Sequence, residues 1–459
     1  MPVLRGDWRA EIAPLSVLAL PMVLTQLGQI SIGFVDTLMV GRLGPAELAG
    51  IALGNTIFFF QMVAGQGVLL AIAPLVAHAF GAQHYGEIGK VTRQGLWLAL
   101  FISIPIVLVQ TYIAPILAFL GQDPDVAALT TEYIHAIRWG AFPFLGFIAL
   151  RGFFEGIGRP RVVTAFVLVA IVVNLFANYG LMFGRFGLPA LGLQGTGYAS
   201  SIVFWLEFLL LFALAVRSKE TRAYQVWSRK SRPERAYMGK ILRLGLPIGA
   251  MMGIEAGQFS VTVIMMGWIG SVSLASHQIA AQSAAITFMV PLGIGMAASV
   301  RVGQHLGGRR DALAAQAAYT GIGLASVFMS ATALLFWLAP QWVVGAYLDI
   351  AAPENQAVVT LTMELLILAG LFQVVDGVQA AAAGGLRGCK DTTVPMVLVF
   401  ISYWLIGLTT GYLLAFKLGM GAHGLWWGLV TGLTLASLLL TIRLHRHFSR
   451  RSAGLAKNA

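Results

Sequence analysis

The chain has 459 residues, of which 58% are hydrophobic and only 11% charged, and its mean hydropathy is +0.80. That is too apolar for a protein whose whole surface meets water, and it points to a polytopic membrane protein. The net charge of +11 does not by itself indicate nucleic acid, because in a membrane protein the placement of charges matters more than their sum.

Apolar runs long enough to cross a hydrocarbon core of roughly 30 Å as helices recur from end to end. Twelve are predicted, over residues 13–37, 48–72, 94–116, 127–150, 162–184, 192–216, 242–266, 274–299, 313–338, 357–384, 394–416 and 422–442. Alternating short segments, the mark of a membrane β-barrel, do not appear. Pro21, Pro105, Pro143, Pro247 and Pro291 fall inside spans, as membrane helices tolerate when neighbours or water satisfy the freed backbone. The first span follows "MPVLRGDWRAEIAPLSVLALP", which looks superficially like a signal peptide. It lacks a small-x-small site and its apolar stretch is too long, so it is expected to stay on the chain.

Between the spans, Lys and Arg fall on alternate sides very unevenly. Arg5 and Arg9, Lys90 and Arg93, Arg151, Arg159 and Arg161, the run from Arg217 to Arg243, Arg301, Arg309 and Arg310, Arg387 and Lys390, and the C-terminal tail all lie on one side. The other side has only Arg42, Arg185 and Lys417, while Arg138 lies within a span, where Glu132 or a cavity would balance it. The positive-inside rule makes the basic side, and hence both termini, cytoplasmic. The basic excess therefore sets orientation, and no nucleic-acid partner is expected. The lone Cys389 cannot form an internal disulfide and is expected to be structural.

Shifting the sequence by about 226 residues places "LALP" (18–21) on "LGLP" (244–247), Gly41 on Gly267, Gly44 on Gly270 and Gly81 on Gly307. Later, "LRGFFEGIGRP" (150–160) matches "LRGCKDTTVP" (386–395) and "GLQG" (192) echoes "GAHG" (421) with small changes of offset. The expected fold is an all-α integral membrane protein, with twelve transmembrane helices in two six-helix bundles that enclose a central cavity. The expected domains are an N-terminal lobe (1–216), a basic cytoplasmic linker (217–241), a C-terminal lobe (242–442) and a basic tail (443–459). Six spans per half make the halves parallel, the design of alternating-access transporters.

Polar residues inside spans carry the most information, since a mid-helix Asp costs roughly 2.5–3.5 kcal/mol on insertion scales. Asp36 shares a helix face with Gln29 and Gln26. Asn174 and Asn178 form an (i, i+4) stripe at similar depth, and Thr196 adds a hydroxyl; amide oxygens beside a carboxylate suit an alkali cation or ordered water. In the second half Glu255, Gln258 and Thr262 share one stripe, and Gln373, Asp376 and Gln379 another. Two acids facing one pocket would give a group able to exchange a proton. The repeat sets Asp36 against Thr262 and Glu255 against Gln29, so packing symmetry does not demand these acids. Gln29, Gln258, His277, Gln278, Gln282, Gln373 and Gln379 are candidate cavity-lining residues; for His277, Gln278 and Gln282 ordinary interhelical hydrogen bonding is the competing reading. Glu207 and Glu364 lie toward helix ends and are expected to be solvated or snorkelling.

Enzymatic signatures are poor. "GTGYAS" and "GIGMAA" contain Gly-x-Gly but lack a strand-turn-helix context, and neither a Walker loop nor His-Glu-x-x-His occurs. No cofactor is expected.

The stretches "FVDTLMVGRLGPAELAGIALG" (34–54), "SHQIAAQSAAITFMVPLGIGMAASVRVGQHLG" (276–307), "VDGVQAAAAGGLRGCKDTTVP" (375–395) and "FISYWLIGLTTGY" (400–412) resemble the multidrug and toxic compound extrusion (MATE) transporters, in particular their NorM-type bacterial branch. The resemblance covers nearly the whole chain. It implies a secondary transporter, not an enzyme, that exports cationic, amphipathic drugs and dyes in exchange for inward Na⁺ or H⁺. It also implies the bacterial inner membrane as location, and the bilayer and small drugs as partners; because two bundles already supply a complete pathway in one chain, a functional monomer is expected. Carried over by position, Asp36, Asn174, Asn178 and Thr196 match the family's N-lobe cation or proton site, and Glu255 and Asp376 its C-lobe acids. Na⁺ would sit at Glu255, Asp376 or Asp36. Some relatives have a second Asp where this chain has Asn178, so a two-Asp proton mechanism is in doubt here, and Phe372 offers no oxygen ligand one turn before Asp376. The competing expectation is a lipid-linked oligosaccharide flippase of similar design, which would need a basic cavity.

Overall fold

A computed structural model describes residues 9–227 and 232–458, with side chains described for 10–227 and 232–451. Arg5, the start of the stretch read for a signal peptide, and linker residues 228–231 lie outside the described residues. Among the described residues, twelve helices are long and apolar enough to cross a membrane: α1 (Ala10–Val40), α2 (Pro45–Gly81), α3 (Tyr85–Thr111), α4 (Pro124–Gly156), α5 (Pro160–Phe183), α6 (Gly192–Arg217), α7 (Arg235–Ile269), α8 (Ser271–Gly307), α9 (Asp311–Leu338), α10 (Pro353–Gly388), α11 (Thr393–Lys417) and α12 (Gly421–Arg451). Each expected run overlaps one of them, but the run 94–116 passes the end of α3 at Thr111, where the helix breaks before a separate short helix, Ile113–Phe119. Most extend past the apolar run by one or two turns, which puts Arg151, Arg301 and Arg387 inside α4, α8 and α10 instead of in loops.

The internal repeat is written in the backbone. Gly44 (φ 156°, ψ 171°) and Gly270 (φ 146°, ψ 169°), the pair matched by the shift, each precede a helix in a conformation that favours glycine. That helix then ends the same way in both halves. Gln83 (φ 59°) and Arg309 (φ 58°) take the left-handed conformation, and the following amides, His84 and Arg310, donate to Ala79 O at 2.9 Å and His305 O at 2.8 Å. This six-to-one closure satisfies carbonyls that a helix end otherwise orphans.

The chain forms two compact units, one of Leu24–Gly249 and one of residues up to Val23 together with those from Ala250 on; α1 and α7 each run from one unit into the other. The first unit packs around Phe147, Phe153, Phe154 and Leu145, all fully buried. Gly197 lets α6 approach α4 closely: a Cβ there would lie 2.9 Å from Tyr133 O. The linker is not a loose basic strap. Gln94 on α3 donates to Arg232 O and accepts from Glu234 N, both at 2.9 Å, Arg93 donates to Gln225 O, and Lys240 pairs with Glu87 at 3.1 Å.

In the second unit α8 and α10 cross backbone to backbone, with Gly295 and Gly384 at the crossing. At one end of this unit Glu11 of α1 accepts a forked pair of hydrogen bonds from Arg301, with Nε at 3.1 Å and Nη2 at 2.8 Å, while His305 Nε2 stands 3.0 Å from Glu11 Oε1. α11 carries two π-helical stretches, Ile401–Leu408 and Leu413–Lys417, where looser turns pack against α12 through Gly407, Gly411 and Gly428.

Candidate functional site

In the unit Leu24–Gly249, three helices converge on Asp36, which is 4% exposed. Asn174 and Asn178 donate through Nδ2 to its Oδ1 at 3.0 and 2.6 Å, and Ser200 Oγ donates to its Oδ2 at 2.8 Å. The (i, i+4) spacing of the two asparagines puts both amides on the face of α5 that meets α1. Asn174 Oδ1, Asn178 Oδ1 and Thr196 Oγ1 are buried without a hydrogen-bond partner among the described residues. Thr196 thus does not bond Asp36. Ser200, one turn further along the same face of α6, does, and the sequence reading missed it; the i+4 step from Thr196 was the available signal. Tyr133 lies within electrostatic range of Asp36 and donates to Asn55 Oδ1 at 2.6 Å. A carboxylate ringed by neutral buried oxygens fits a small monovalent cation by donor chemistry.

Among the described residues Arg138 forms no ion pair with Glu132. It sits in a 3-10 turn, reaches Thr111 Oγ1 at 3.5 Å and lies over the Trp139 ring at 5.3 Å. Glu207 is also not at a solvated helix end. It is 2% exposed within α6, because the helix runs well beyond it and α4 and α5 pack over that face.

In the second unit, Glu255 on α7 lies within electrostatic range of Asp376 and Arg387 on α10, and Tyr403 on α11 within range of both acids. Asp376 is 5% and Tyr403 1% exposed. Arg387 Nε and Tyr403 Oη have no hydrogen-bond partner among the described residues. By sequence Arg387 counts among the basic residues between spans, and nothing in the sequence singles out Tyr403. Gln373 faces a different set: its Oε1 accepts from Thr287 at 2.7 Å and Thr332 at 2.9 Å. Gln258 is buried against Gly407 and Gly432, and Gln379 is buried too. Thr262, the repeat partner of Asp36, spends its hydroxyl on Gln258 O of its own helix at 2.9 Å.

The proposed trio on α8 separates. Gln278 and Gln282 share an exposed face, whereas His277 is fully buried and meets Trp426 edge to face at 5.7 Å. Trp426 in turn packs on Phe372, and Phe372 on Phe259, so His277 packs into an aromatic cluster. Glu364 is exposed as expected and pairs with His423 at 2.9 Å. Cys389 lies between α10 and α11, where burial pushes its thiol up to about 12, the nearby Arg451 only partly offsetting this.

Comparison with known proteins places this arrangement. The MatE family model matches residues 21–180 and 247–413. The "Probable multidrug resistance protein NorM" of Mesorhizobium japonicum is 41% identical over 442 residues, covering 96% of this chain and 95% of that protein. The "Multidrug resistance protein NorM" of Burkholderia vietnamiensis is 38% identical, covering 93% and 92%. In fold, the chain is similar to the eukaryotic MATE transporter AtDTX14, with a TM-score of 0.85 at 23% identity, covering 97% of this chain and 99% of that one. A MATE crystal structure in the bent conformation gives a TM-score of 0.88 at 19% identity, covering 99% and 98%. This chain therefore belongs to the MatE family of multidrug and toxic compound extrusion transporters, in its NorM-type branch.

Proposed function

We propose that this protein is a multidrug efflux antiporter that exports cationic, amphipathic drugs and dyes in exchange for inward Na⁺ or H⁺ by alternating access. The observation that carries the reading is Asp36: a buried carboxylate within a membrane helix, held by three donors and bordered by buried oxygens with unmet bonding capacity. Such a group persists in a membrane helix where a cation or proton comes and goes. Glu255 and Asp376, facing Arg387 and Tyr403, form a second acidic site with its own charge balance. The names of the curated relatives, multidrug resistance proteins, support the substrate class.

In this reading the lobes are residues 1–216 and 242–442, joined by the linker 217–241, and one chain supplies the whole pathway. The skewed placement of Lys and Arg supports an inner-membrane orientation with both termini cytoplasmic. Cation and drug compete because each favours a different orientation of the lobes. Ethidium and norfloxacin accumulation in energised cells tests the export function. Expression is expected to lower accumulation of both, and unchanged accumulation across several cationic dyes would refute it.

A further inference from the structure

In the unit Leu24–Gly249 a second polar layer lies one seven-residue step from Asp36. α1 carries Asp36 and Gln29, and α6 carries Ser200 and Glu207; both pairs are seven residues apart, so each returns to the same helix face about 10 Å further along. In the first layer Ser200 donates to Asp36. In the next, Arg151 on α4 reaches Gln29 Oε1 through Nη1 at 3.5 Å and donates through Nε to Glu155 Oε1 at 2.7 Å. The Arg151 and Glu155 side chains are each 2% exposed.

Glu207 completes this layer. It is 2% exposed, its Oε1 has no hydrogen-bond partner among the described residues, and its charged neighbour is Arg151. Of the elements packed against α6, α4 turns Arg151 toward it. α5 and the turn Arg222–Tyr224 bring no titratable group within electrostatic range of it among the described residues. Among the described residues one guanidinium therefore serves two buried carboxylates, and Glu155 already takes its Nε. With both acids ionised, the layer would hold an unbalanced negative charge away from water, an expensive state that a single proton removes.

We propose that Glu207 holds and exchanges a proton, forming with Arg151 a second proton site of this unit, one seven-residue step from Asp36. Glu207 takes the proton from water and returns it to water, and Arg151 balances the carboxylate in the deprotonated state. The proposal rests on the exporter reading only in assigning that proton to the transport cycle.

Infrared difference spectroscopy of the purified full-length protein, titrated with base, reads the site without transport. A protonated-carboxyl C=O band that disappears on titration is expected in the parent protein and in Asp36→Asn, and its absence is expected in Glu207→Gln. Glu207→Asp, which keeps the acid if the amide fails to fold, is expected to move the band. A band set unchanged in both Glu207 variants would overturn the proposal. Ethidium-driven proton release from the detergent-solubilised protein provides the second readout: release by Glu207→Gln is expected to fall by about half, and release equal to the parent's would show that the group does not exchange. A parent protein that fails to move ethidium would overturn the exporter reading while leaving the infrared result intact.

Discussion

Ser200 shows how one hydroxyl tunes a charge inside a membrane helix. Its hydrogen bond to Asp36 Oδ2 at 2.8 Å is one of three that fix the carboxylate, and a hydrogen bond to a charged group contributes about 1.5–3 kcal/mol. Because that bond favours the bare carboxylate, Ser200→Ala is accordingly expected to tighten cation binding about tenfold or more, measured by isothermal titration or by the cation dependence of efflux; Ser200→Thr, which keeps the donor, should restore most of the parent behaviour. Cys389 offers the opposite case. With its thiol pushed up to about 12, it stays protonated through the neutral range, and its thiolate fraction grows only as pH climbs toward that value. Its alkylation by iodoacetamide at pH 8 is expected to be on the order of a thousandfold slower than that of a free thiol of ordinary acidity. Asp36, Asn174 and Asn178 were legible because polar groups at helical spacing stand out in an apolar run. Ser200 and Tyr403 were not, because serine and tyrosine are common in membrane helices and only tertiary contact distinguishes them.

At the scale of elements, helix ends decide which charges are buried. The run 274–299 stops just short of Arg301, but α8 continues to Gly307 and carries Arg301 and His305 onto Glu11. Hydropathy alone does not see such an extension, because it detects burial in lipid and not burial by a partner. Glu207 was misjudged for the related reason that its neighbours on α4 and α5 come from distant sequence. Removing one member of a buried ion pair leaves the other uncompensated and typically costs about 3–5 kcal/mol. Glu11→Ala is therefore expected to lower the thermal unfolding temperature in detergent clearly. Replacing Glu11 and Arg301 together by apolar residues should cost much less. Equal destabilisation by the single and double changes would show that the cluster is held by packing alone.

At the scale of the whole molecule, the duplicated sequence yields duplicated helix starts and stops, Gly44 with Gly270 and Gln83 with Arg309, yet its acids sit at non-equivalent places. The twelve spans and the repeat were legible because both are carried by composition and spacing. Other partners of the acids were not, because Arg387, Tyr403 and Ser200 reach their sites through helix packing. The non-equivalent acids imply that one half can respond to the cation differently from the other. The central claim is that a cation at Asp36 drives drug movement. The most direct test is ethidium transport by proteoliposomes under an imposed Na⁺ gradient or an imposed pH gradient, one at a time, with the parent protein and Asp36→Asn. The parent protein should move ethidium uphill under at least one gradient, and Asp36→Asn should lose about tenfold or more of that rate. Movement that needs no gradient, or an Asp36→Asn variant that keeps the parent rate, would contradict the account.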